Sequence, residues 1–445
     1  MDILKESHEL YRFGSKKICE IRDHFQRLLP FWIAGALTAL FATGYAHLFS
    51  WAEEVSKKIF NFSGLWFVAI PPIFFCISWL LVEKLAPKAN GSGIPQLMVA
   101  IEKAHQKQID SIDNFLSFRI ILVKIISSIC GVLGGGAIGR EGPTLQISGS
   151  IFHLVGKNWK WGEIQNRSAF LMAGAASGLA SAFNTPLGGI VYVIEELAKS
   201  HLSSFRTGVL HAVIFAGIIS QMIMGPYLYL GYPKIPNFEY YLVWQYLTIS
   251  LISAAVVTVF AQSLKYVVRW RTDLNSISKK AIFTLASGLL FGLLVVLLSS
   301  HGKGSGKDLL TSMLFNSQNA SLSDFVSRFF GSILTYANGG AGGIFAPTLS
   351  LGGSSGSYFS NLFNFELGPL AVLIGMTAGL AALTHSPLTS FILVLEMTDR
   401  HSSIFPLMLS AIIGHGLSKL ISKKSFYEFV YERLLKEMDS NERNS

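Results

Sequence analysis

The chemistry in this sequence centres on one carboxylate, Glu141, which lies in a stretch that otherwise has the composition of a membrane span. Glu141 is the central residue of the motif GREGP at residues 139–143. Glycine and proline interrupt a helix at this point, and opened backbone inside a bilayer is tolerated only where protein buries it or where it lines a water or ion path. An ionisable side chain at that depth is a functional-site candidate. We therefore predict that Glu141 belongs to an ion pathway.

Two other segments repeat this arrangement of glycines followed by a proline. They are the motif GSGIP at residues 91–95 and the motif GGIFAP at residues 342–347. Glycine lets the backbone approach closely, and proline fits the first turn of a helix, where its missing N–H is not needed. Three helix N-termini that point at one place would bind an anion with backbone N–H groups and helix dipoles, without a full buried charge that would hinder release. The sequence therefore predicts a small anion as substrate.

The composition predicts a polytopic membrane protein. Of 445 residues, 51% are hydrophobic and 14% are charged, which is far more apolar sequence than a soluble domain needs. The net charge of +9 comes from basic loops between apolar runs, as the positive-inside rule predicts, so no nucleic-acid partner is expected. Three widely separated cysteines indicate neither a disulfide framework nor a metal site, and no cofactor is expected.

Apolar runs and basic loops divide the chain into four parts. We expect an amphipathic cytoplasmic helix at residues 1–30, a first membrane repeat at residues 31–235, a second at residues 236–422, and a short cytoplasmic C-terminal helix at residues 423–445. The positive-inside rule places the basic loops and both termini in the cytoplasm.

Two apolar segments have a glycine/proline break near the middle: Ile120 to Gly156 and Ser168 to Ala198. In the predicted topology each segment starts and ends on the cytoplasmic side. We therefore predict that each forms a pair of half-length helices that meet inside the membrane. Transporters build binding sites from such half-helices because a helix N-terminus carries free N–H groups and a partial positive charge.

The chain also contains an internal repeat. The segment MAGAASGLA at residues 172–180 matches LIGMTAGLA at residues 373–381, with a constant offset of 201 residues, and the match extends to Glu195 and Glu396 at the same offset. The expected origin is two homologous halves of roughly 200 residues, arranged as an inverted repeat with the site at their interface.

The three motifs in this order, together with the repeat, resemble the CLC family of chloride channels and chloride/proton exchangers over nearly the whole chain. The resemblance implies an all-α bundle of many tilted and broken helices in two inverted repeats. It also implies a homodimer with one anion pathway per subunit. Members of the family with a regulatory nucleotide-sensing domain continue for a hundred or more residues after the last helix, so the short sequence after the last apolar run leads us to expect a bacterial-type protein of the cytoplasmic (inner) membrane without that domain. Ser92 is similar to the chloride-selecting form of the first motif, where proline would imply nitrate and methionine the fluoride branch.

The resemblance also assigns anion-binding residues. It implies that Ser92 and Tyr427 supply hydroxyl groups to the central anion, and that Ile344 and Phe345 supply backbone N–H groups. Lys124 resembles a lysine that adds positive potential near the pore of the family. For Lys124 the sequence is equally compatible with a side chain that snorkels to the cytoplasmic interface.

The chemistry of Glu141 then predicts a mechanism. As a carboxylate it is an anion and can occupy the N-terminal site in place of chloride, whereas a protonated Glu141 loses that attraction and swings away. Glu141 would thus be both the gate and the external proton carrier. Glu196 matches the internal proton-transfer glutamate of the family's exchangers, with a solvated carboxylate at a helix end as the structural alternative. Glu195 repeats as Glu396, which favours a shared structural role for that pair.

The leading hypothesis is a secondary active transporter that exchanges chloride for protons. The alternative is a gated chloride channel of the same fold, with passive anion flow and Glu141 only as a gate. An intramembrane enzyme is a poor interpretation, because the sequence has no HExxH motif, no GxSxG motif and no paired aspartates in spans. No catalytic residue is therefore assigned.

Overall fold

The computed structural model describes residues 2–159, 166–197, 207–225, 228–235, 239–274, 276–316, 318–398 and 401–444. Over these residues the chain folds into α-helices, short 3₁₀ or π turns and connecting loops. Six helical segments are long and apolar enough to cross a bilayer, and further apolar helices are shorter. The protein is thus an all-α, multi-pass membrane protein, and the predicted fold class is confirmed.

The first half contains eight α-helices among the described residues. They are α1 (Asp2–Ser63), α2 (Ile70–Leu85), α3 (Ile94–His105), α4 (Phe118–Leu133), α5 (Glu141–Asn158), α6 (Arg167–Phe183), α7 (Pro186–Tyr192) and α8 (Thr207–Met224). Both predicted breaks are present, since α4 and α5 are separated by the turn that leads into the GREGP motif, and α6 and α7 by a tight turn.

The second half contributes nine more α-helices among the described residues. They are α9 (Val243–Thr272), α10 (Ile277–Leu297), α11 (Lys307–Phe315), α12 (Leu322–Ala337), α13 (Phe345–Leu362), α14 (Pro369–Thr384), α15 (Pro387–Thr398), α16 (Ile404–Ile421) and α17 (Phe426–Asn444). Helices α5 and α13 each have 18 residues and follow a glycine-containing motif.

Helix α1 is longer than the apolar run that predicts it. It runs without a break from Asp2 to Ser63, through Pro30, so the segment expected as a separate N-terminal helix continues directly into the first span. Three other predicted boundaries lie outside the described residues. They are the start of the second repeat at residue 236, the end of a half-helix pair at Ala198 and the chain end at Ser445.

The internal repeat is visible in the backbone. Asn184 is the C-cap of helix α6 and His385, 201 positions later (385 − 184), is the C-cap of helix α14, and both residues adopt the left-handed conformation with φ of 56° and 60°. The N–H of Asn184 donates to the carbonyl of Ala180, and the N–H of His385 donates to the carbonyl of Ala381. A proline-initiated helix follows in each half. The same turn therefore closes the equivalent helix in both repeats.

Small residues let the helices of the second half approach closely. Helices α13 and α14 meet at Gly352 and Gly375, where a Cβ on either glycine would overlap with the backbone carbonyl of the other. Close contact through small residues is the usual packing of helices in membranes, where the hydrophobic effect does not drive them together. This packing fixes the direction of α13, whose N-terminus carries the GGIFAP motif.

Candidate anion and proton pathway

The three glycine/proline motifs are joined to one another by backbone hydrogen bonds. The N–H of Gly91 donates to the carbonyl of Gly340 (2.9 Å), and the N–H of Gly342 donates to the carbonyl of Gly91 (3.0 Å). Gly139 and Gly343 exchange a reciprocal pair of N–H···O bonds of 2.8 and 2.9 Å. Segments that are far apart in the sequence therefore meet at one place, with α3, α5 and α13 starting from it.

This junction requires glycine at specific positions. A Cβ on Gly142 would overlap with the Oγ atom of Ser92, and a Cβ on Gly343 would lie 3.0 Å from the carbonyl oxygen of Gly139. Gly93, the N-cap of α3, has a φ of 92°, in the left-handed region that favours glycine. The helix N-termini can therefore approach one another only because these residues lack side chains.

Two buried hydroxyl groups face this junction. Ser92 is 1% exposed, and Tyr427, the second residue of α17, is completely buried. The two hydroxyls lie close enough to interact, yet neither forms a hydrogen bond of ordinary geometry with a described residue. Buried polar groups normally have partners, so this pair is chemically suited to a ligand that accepts hydrogen bonds.

Glu141 lies at the same junction, as the first residue of α5. Its side chain is 1% exposed, and its carboxylate lies against Gly139, where a Cβ would overlap with Oε2. The backbone N–H groups of Glu141 and of Ala346, in the first turn of α13, interact with this carboxylate. The carboxyl group of Glu141 thus lies beside the N-termini of two helices, where free N–H groups and the helix dipole favour an anion.

Ile344 and Phe345 provide the start of α13. Ile344 is the N-cap, and its carbonyl accepts the first helical hydrogen bond, from the N–H of Thr348 at 3.0 Å. The N–H groups of the first turn have no acceptor within the helix and are available to an anion. The ring of Phe345 packs against that of Phe183 with centroids 5.6 Å apart, which gives the junction an apolar wall.

The Lys124 side chain binds the backbone at the start of the first motif. Its side chain is completely buried, and its Nζ donates to the carbonyl oxygens of Ala89 (2.9 Å), Asn90 (3.3 Å) and Gly91 (2.9 Å). The alternative that Lys124 snorkels to the interface is therefore wrong. Lys124 therefore binds the backbone carbonyl groups that lead into the GSGIP turn, and its contribution to the potential near the pore stays a prediction.

Glu196 is buried, and the alternative of a solvated carboxylate is wrong. It lies in a π-helical turn, Val193–Leu197, directly after α7, and its side chain is 1% exposed. The hydroxyl of Ser386 donates a 2.7 Å hydrogen bond to its Oε2 atom. Electrostatic interactions connect Glu196 with Tyr192 and Tyr427. It therefore lies on the side of the junction where the Tyr427 hydroxyl is placed.

The side of the junction that carries Glu141 opens into a cavity of about 30 Å³. Glu141 and Arg140 line it together with Glu53 of α1 and Lys307 of α11. Glu53 and Lys307 also line a larger basin of about 250 Å³. Neither residue belongs to a motif or to the repeat, and no sequence signal singles them out. Their proximity to Glu141 arises only from the packing of α1 and α11.

On the opposite side a cavity of about 260 Å³ reaches the first motif. Gly91, Tyr336 and the α17 residue Arg433 are among its lining residues. A Cβ on Gly91 would lie 2.7 Å from the hydroxyl oxygen of Tyr336, and this hydroxyl also lies near the backbone of Ser92. Among the residues described here, no group of three metal-ligating side chains occurs.

Broken helices, a buried carboxylate and cavities on two sides define a class of protein, the membrane transporters and channels with a mid-membrane ion site. The family described as voltage gated chloride channel, Voltage_CLC, matches residues 73–419. The chain belongs to this family, as its three motifs predict.

Curated relatives extend the likeness over almost the full chain. The H(+)/Cl(-) exchange transporter ClcA of Citrobacter koseri is 29% identical over 441 residues, which cover 93% of this chain and 90% of the relative. The protein of the same name from Salmonella arizonae is 30% identical over 433 residues, which cover 92% of this chain and 89% of the relative. These relatives are named as transporters, not as enzymes.

Solved structures show the same fold. A slow cyanobacterial Cl⁻/H⁺ antiporter superposes with a TM-score of 0.78 at 24% identity, with 93% of this chain and 99% of the other covered. A CLC-type fluoride/proton antiporter superposes with a TM-score of 0.76 at 21% identity, with 91% and 97% covered. The bundle of broken helices in two inverted repeats is therefore that of the CLC transporters.

Proposed function

We propose that this protein is a secondary active transporter that exchanges chloride for protons. The observation that carries the proposal is the location of Glu141, a buried carboxylate at the junction of three motifs and beside the N–H of Ala346. The names of the curated relatives, which are chloride/proton exchange transporters, support it.

The proposed site for chloride is the junction itself. The Ser92 and Tyr427 hydroxyls would donate hydrogen bonds from one side, and the N–H groups of Ile344 and Phe345 would donate from the start of α13. Both hydroxyls are buried without a hydrogen bond of ordinary geometry to a described residue, so an anion would supply the missing acceptor. Backbone and hydroxyl donors bind it without a paired charge, which permits release.

The proposed gate is Glu141. Ionised, it competes with chloride for the same helix N-termini, and this helix–charge attraction amounts to about 0.3–1 kcal/mol per helix end at exposed sites and more where water is excluded. Protonated, it is neutral and the attraction is lost. Chloride then takes its place, while Glu141 carries its proton away from the junction. One proton thus changes which anion occupies the site.

The proposed internal proton station is Glu196. Its burial and its hydrogen bond from Ser386 suit a carboxyl that exchanges protons with few competing waters. Glu196 interacts electrostatically with Tyr427, so it is close to the proposed chloride site but is not part of it. This favours the exchanger over the passive channel, because passive flow needs no second buried acid.

The proposed orientation follows the positive-inside rule. Both termini would face the cytoplasm, so that α17 and the cavity of about 260 Å³ lie on the inner side and the basin beyond Glu141 lies on the outer side. The location would be the cytoplasmic membrane, with chloride and protons as the transported species. A homodimer with one pathway per subunit is part of the same proposal.

The test is reconstitution in liposomes, with chloride and proton electrodes in parallel. In the wild type, an imposed chloride gradient is expected to drive protons uphill. Glu141→Gln is expected to retain chloride flux without proton movement, because the amide mimics the neutral gate. Glu196→Gln keeps the acceptor for Ser386 and is expected to retain much chloride flux with impaired proton movement.

Each of the three measurements has a result that would overturn one part of the proposal. Chloride flux without uphill proton movement in the wild type would identify a channel and overturn the exchanger. Intact proton coupling in Glu141→Gln would remove the gate assignment, and intact coupling in Glu196→Gln would remove the internal station. Neither variant changes side-chain size, so a loss of folding is not expected to obscure the result.

A further inference from the structure

One carboxylate lines both cavities on the Glu141 side. The small cavity of about 30 Å³ contains Glu141, and the basin of about 250 Å³ lies further out. Glu53 and Lys307 line both of them. Of these two, Glu53 is the one whose side chain accepts a proton as an anion, because a lysine amine carries its proton as a cation. Glu53 therefore occupies the passage between the basin and the gate.

Glu53 is held at this passage by the loop that precedes α11. Its Oε1 atom accepts a 2.7 Å hydrogen bond from the N–H of Ser305. A Cβ on Gly304 would lie 2.8 Å from the same oxygen, and φ at Gly304 is 61°, so the loop can wrap the carboxylate because this residue is glycine. Only one carboxylate oxygen takes part in this bond. The second oxygen, Oε2, can exchange a proton while the side chain stays in place.

The charges around Glu53 come from several elements. Arg140 and Glu141 face it from the start of α5, and Lys307 faces it from the start of α11. Arg328 of α12 interacts with it electrostatically. The remaining charged or titratable groups of the basin are Lys57, His301, Lys303 and Asp308. Cations therefore outnumber acids around Glu53.

We propose that Glu53 is the relay that passes protons between the outer water and Glu141. The inference rests on the proposed function, since it supplies the outer part of the proton route that the exchanger needs. It names a residue that neither the motifs nor the internal repeat indicates. Glu53 would be a relay residue, and Glu141 would remain the group that competes with chloride.

The proton moves in two balanced steps. A hydronium ion in the basin gives its proton to Oε2 of Glu53, which becomes neutral, and a water molecule remains. Glu53 then gives this proton to a water in the small cavity, and that water gives one of its protons to the Glu141 carboxylate. Glu53 is again an anion, Glu141 is neutral, and one proton has been transferred. The reverse sequence releases a proton to the outside.

The small cavity has room for the connecting water. A volume of about 10–15 Å³ of this kind holds one water if two to four polar groups surround it, and the cavity has about 30 Å³. Its lining includes Ser50, Arg140 and Ser305 besides the two glutamates. Water is therefore favoured at this place.

The test compares Glu53→Gln with Glu54→Gln in liposomes. In Glu53→Gln the amide oxygen can still accept the hydrogen bond from Ser305, so the loop is retained while the side chain no longer carries a proton. Glu54 is the next residue of α1 and is exposed, which makes it the matched control. We expect Glu53→Gln to slow coupled exchange by about tenfold or more, a typical effect of losing a proton-transfer group. Glu54→Gln is expected to exchange like the wild type.

Three further conditions make the result specific. External imidazole, a small buffer that the basin can hold, is expected to restore much of the rate in Glu53→Gln, because it carries protons to the small cavity. In the Glu141→Gln background, where no proton is needed, adding Glu53→Gln is expected to leave chloride flux unchanged. Assays stay below pH 8, because burial lowers the pKa of Lys303 to about 8 and a change of its charge would confuse the comparison.

The inference fails if Glu53→Gln exchanges at the wild-type rate. It also fails if Glu53→Gln reduces chloride flux equally in the Glu141→Gln background, since Glu53 would then act on anion access or on stability. Neither result bears on the exchanger itself, which the uphill proton movement of the wild type tests. A wild type without proton movement would overturn the proposed function first and the relay with it.

Discussion

Glu195 and Glu396 cap helices in each other's half of the protein. The carboxylate of Glu195 accepts hydrogen bonds from the N–H groups of Leu388 (3.0 Å) and Thr389 (2.6 Å), at the start of α15. The carboxylate of Glu396 accepts two bonds of 3.1 and 2.8 Å from the first N–H groups of α7. The two residues are 201 positions apart (396 − 195), so the internal repeat is also a reciprocal contact. The expected structural role of this pair is confirmed.

This reciprocity predicts comparable effects on stability. Glu195→Ala and Glu396→Ala each leave two N–H groups of a helix start without their acceptor, at a cost of about 0.5–2 kcal/mol for each variant, and Glu195→Ala also removes the acceptor of the Thr389 hydroxyl (2.7 Å). We expect similar decreases in the midpoint of thermal unfolding for both variants in detergent, with chloride and proton fluxes retaining the wild-type ratio. A midpoint equal to that of the wild type in one variant only would contradict the symmetry. A changed flux ratio in Glu195→Ala would give this residue a transport role.

Lys124 gives a second prediction, for the chloride site. Lys124→Met keeps the length of the side chain but removes the donor to the carbonyl groups of Ala89, Asn90 and Gly91, which lead into the GSGIP turn. Losing these hydrogen bonds costs about 0.5–1.5 kcal/mol each, so the turn is expected to rearrange and to move Ser92 from the junction. Chloride binding, measured by titration calorimetry in detergent, should weaken by about tenfold or more for a change of about 1.4 kcal/mol.

The control for this prediction is Lys279→Met. Lys279 is exposed at the start of α10, so its substitution removes the same charge without touching the motif. If both variants bind chloride with the wild-type affinity, the positive charge and the hydrogen bonds of Lys124 do not support the site. If both weaken it equally, the effect is one of overall charge and not of the turn.

The local parts of the fold could be predicted because glycine and proline act locally. They set the breaks before α5 and α13, and the motif at residues 91–95 starts α3 as the sequence indicates. The internal repeat, with its offset of 201 residues, indicates equivalent positions in the two halves, and the turns at Asn184 and His385 lie at such positions. These features depend on a few neighbouring residues, and one sequence contains them in full.

The long-range parts could not be predicted. Nothing local pairs Gly91 with Gly340, and nothing in the apolar run around Lys124 says that its amine turns inward to carbonyl groups. Glu53 comes close to Glu141 only through the packing of α1. The local sequence around Glu53 does not differ from that around a charged residue on an exposed turn of a helix. The apolar pattern did not predict the full length of α1, because the first residues of this helix are polar and charged. Several such side chains are good helix formers.

The two hydroxyl groups of the junction give a third prediction. Ser92→Ala and Tyr427→Phe each remove a donor from a buried place where it has no hydrogen bond of ordinary geometry with a described residue. If chloride is the missing acceptor, each variant should weaken chloride binding by about 1.5–3 kcal/mol, the range for a hydrogen bond to a charged group, whereas protein stability without chloride should remain nearly the same. Calorimetric titration and thermal unfolding at low chloride would measure the two effects separately.

Tyr431→Phe is the matched control, since Tyr431 lies one turn further along α17 and is partly exposed. It should bind chloride like the wild type. A loss of stability in Ser92→Ala or Tyr427→Phe that is independent of chloride would assign the hydroxyls to the fold. Unchanged affinity in both would exclude them from the chloride site.

Two glycines of α16 give the last prediction, because they differ only in what surrounds them. A Cβ on Gly414 would overlap with the backbone carbonyl of Ala378 in α14, whereas a Cβ on Gly416 would meet nothing within 4 Å. Gly416→Ala should therefore stabilise the helix by about 0.5–1 kcal/mol through the better propensity of alanine. Gly414→Ala should instead force α14 and α16 apart, at a cost of about 1–3 kcal/mol.

The sign of the difference is the test, and it needs only thermal unfolding of the two variants in one detergent. Since α14 follows α13 in tight contact, the separation of α14 from α16 is expected to reach the GGIFAP motif. Gly414→Ala should then also weaken chloride binding, while Gly416→Ala leaves it unchanged. Equal midpoints for the two variants would mean that α14 and α16 do not meet at Gly414. A less stable Gly414→Ala with full chloride affinity would show that this packing supports the bundle but not the site.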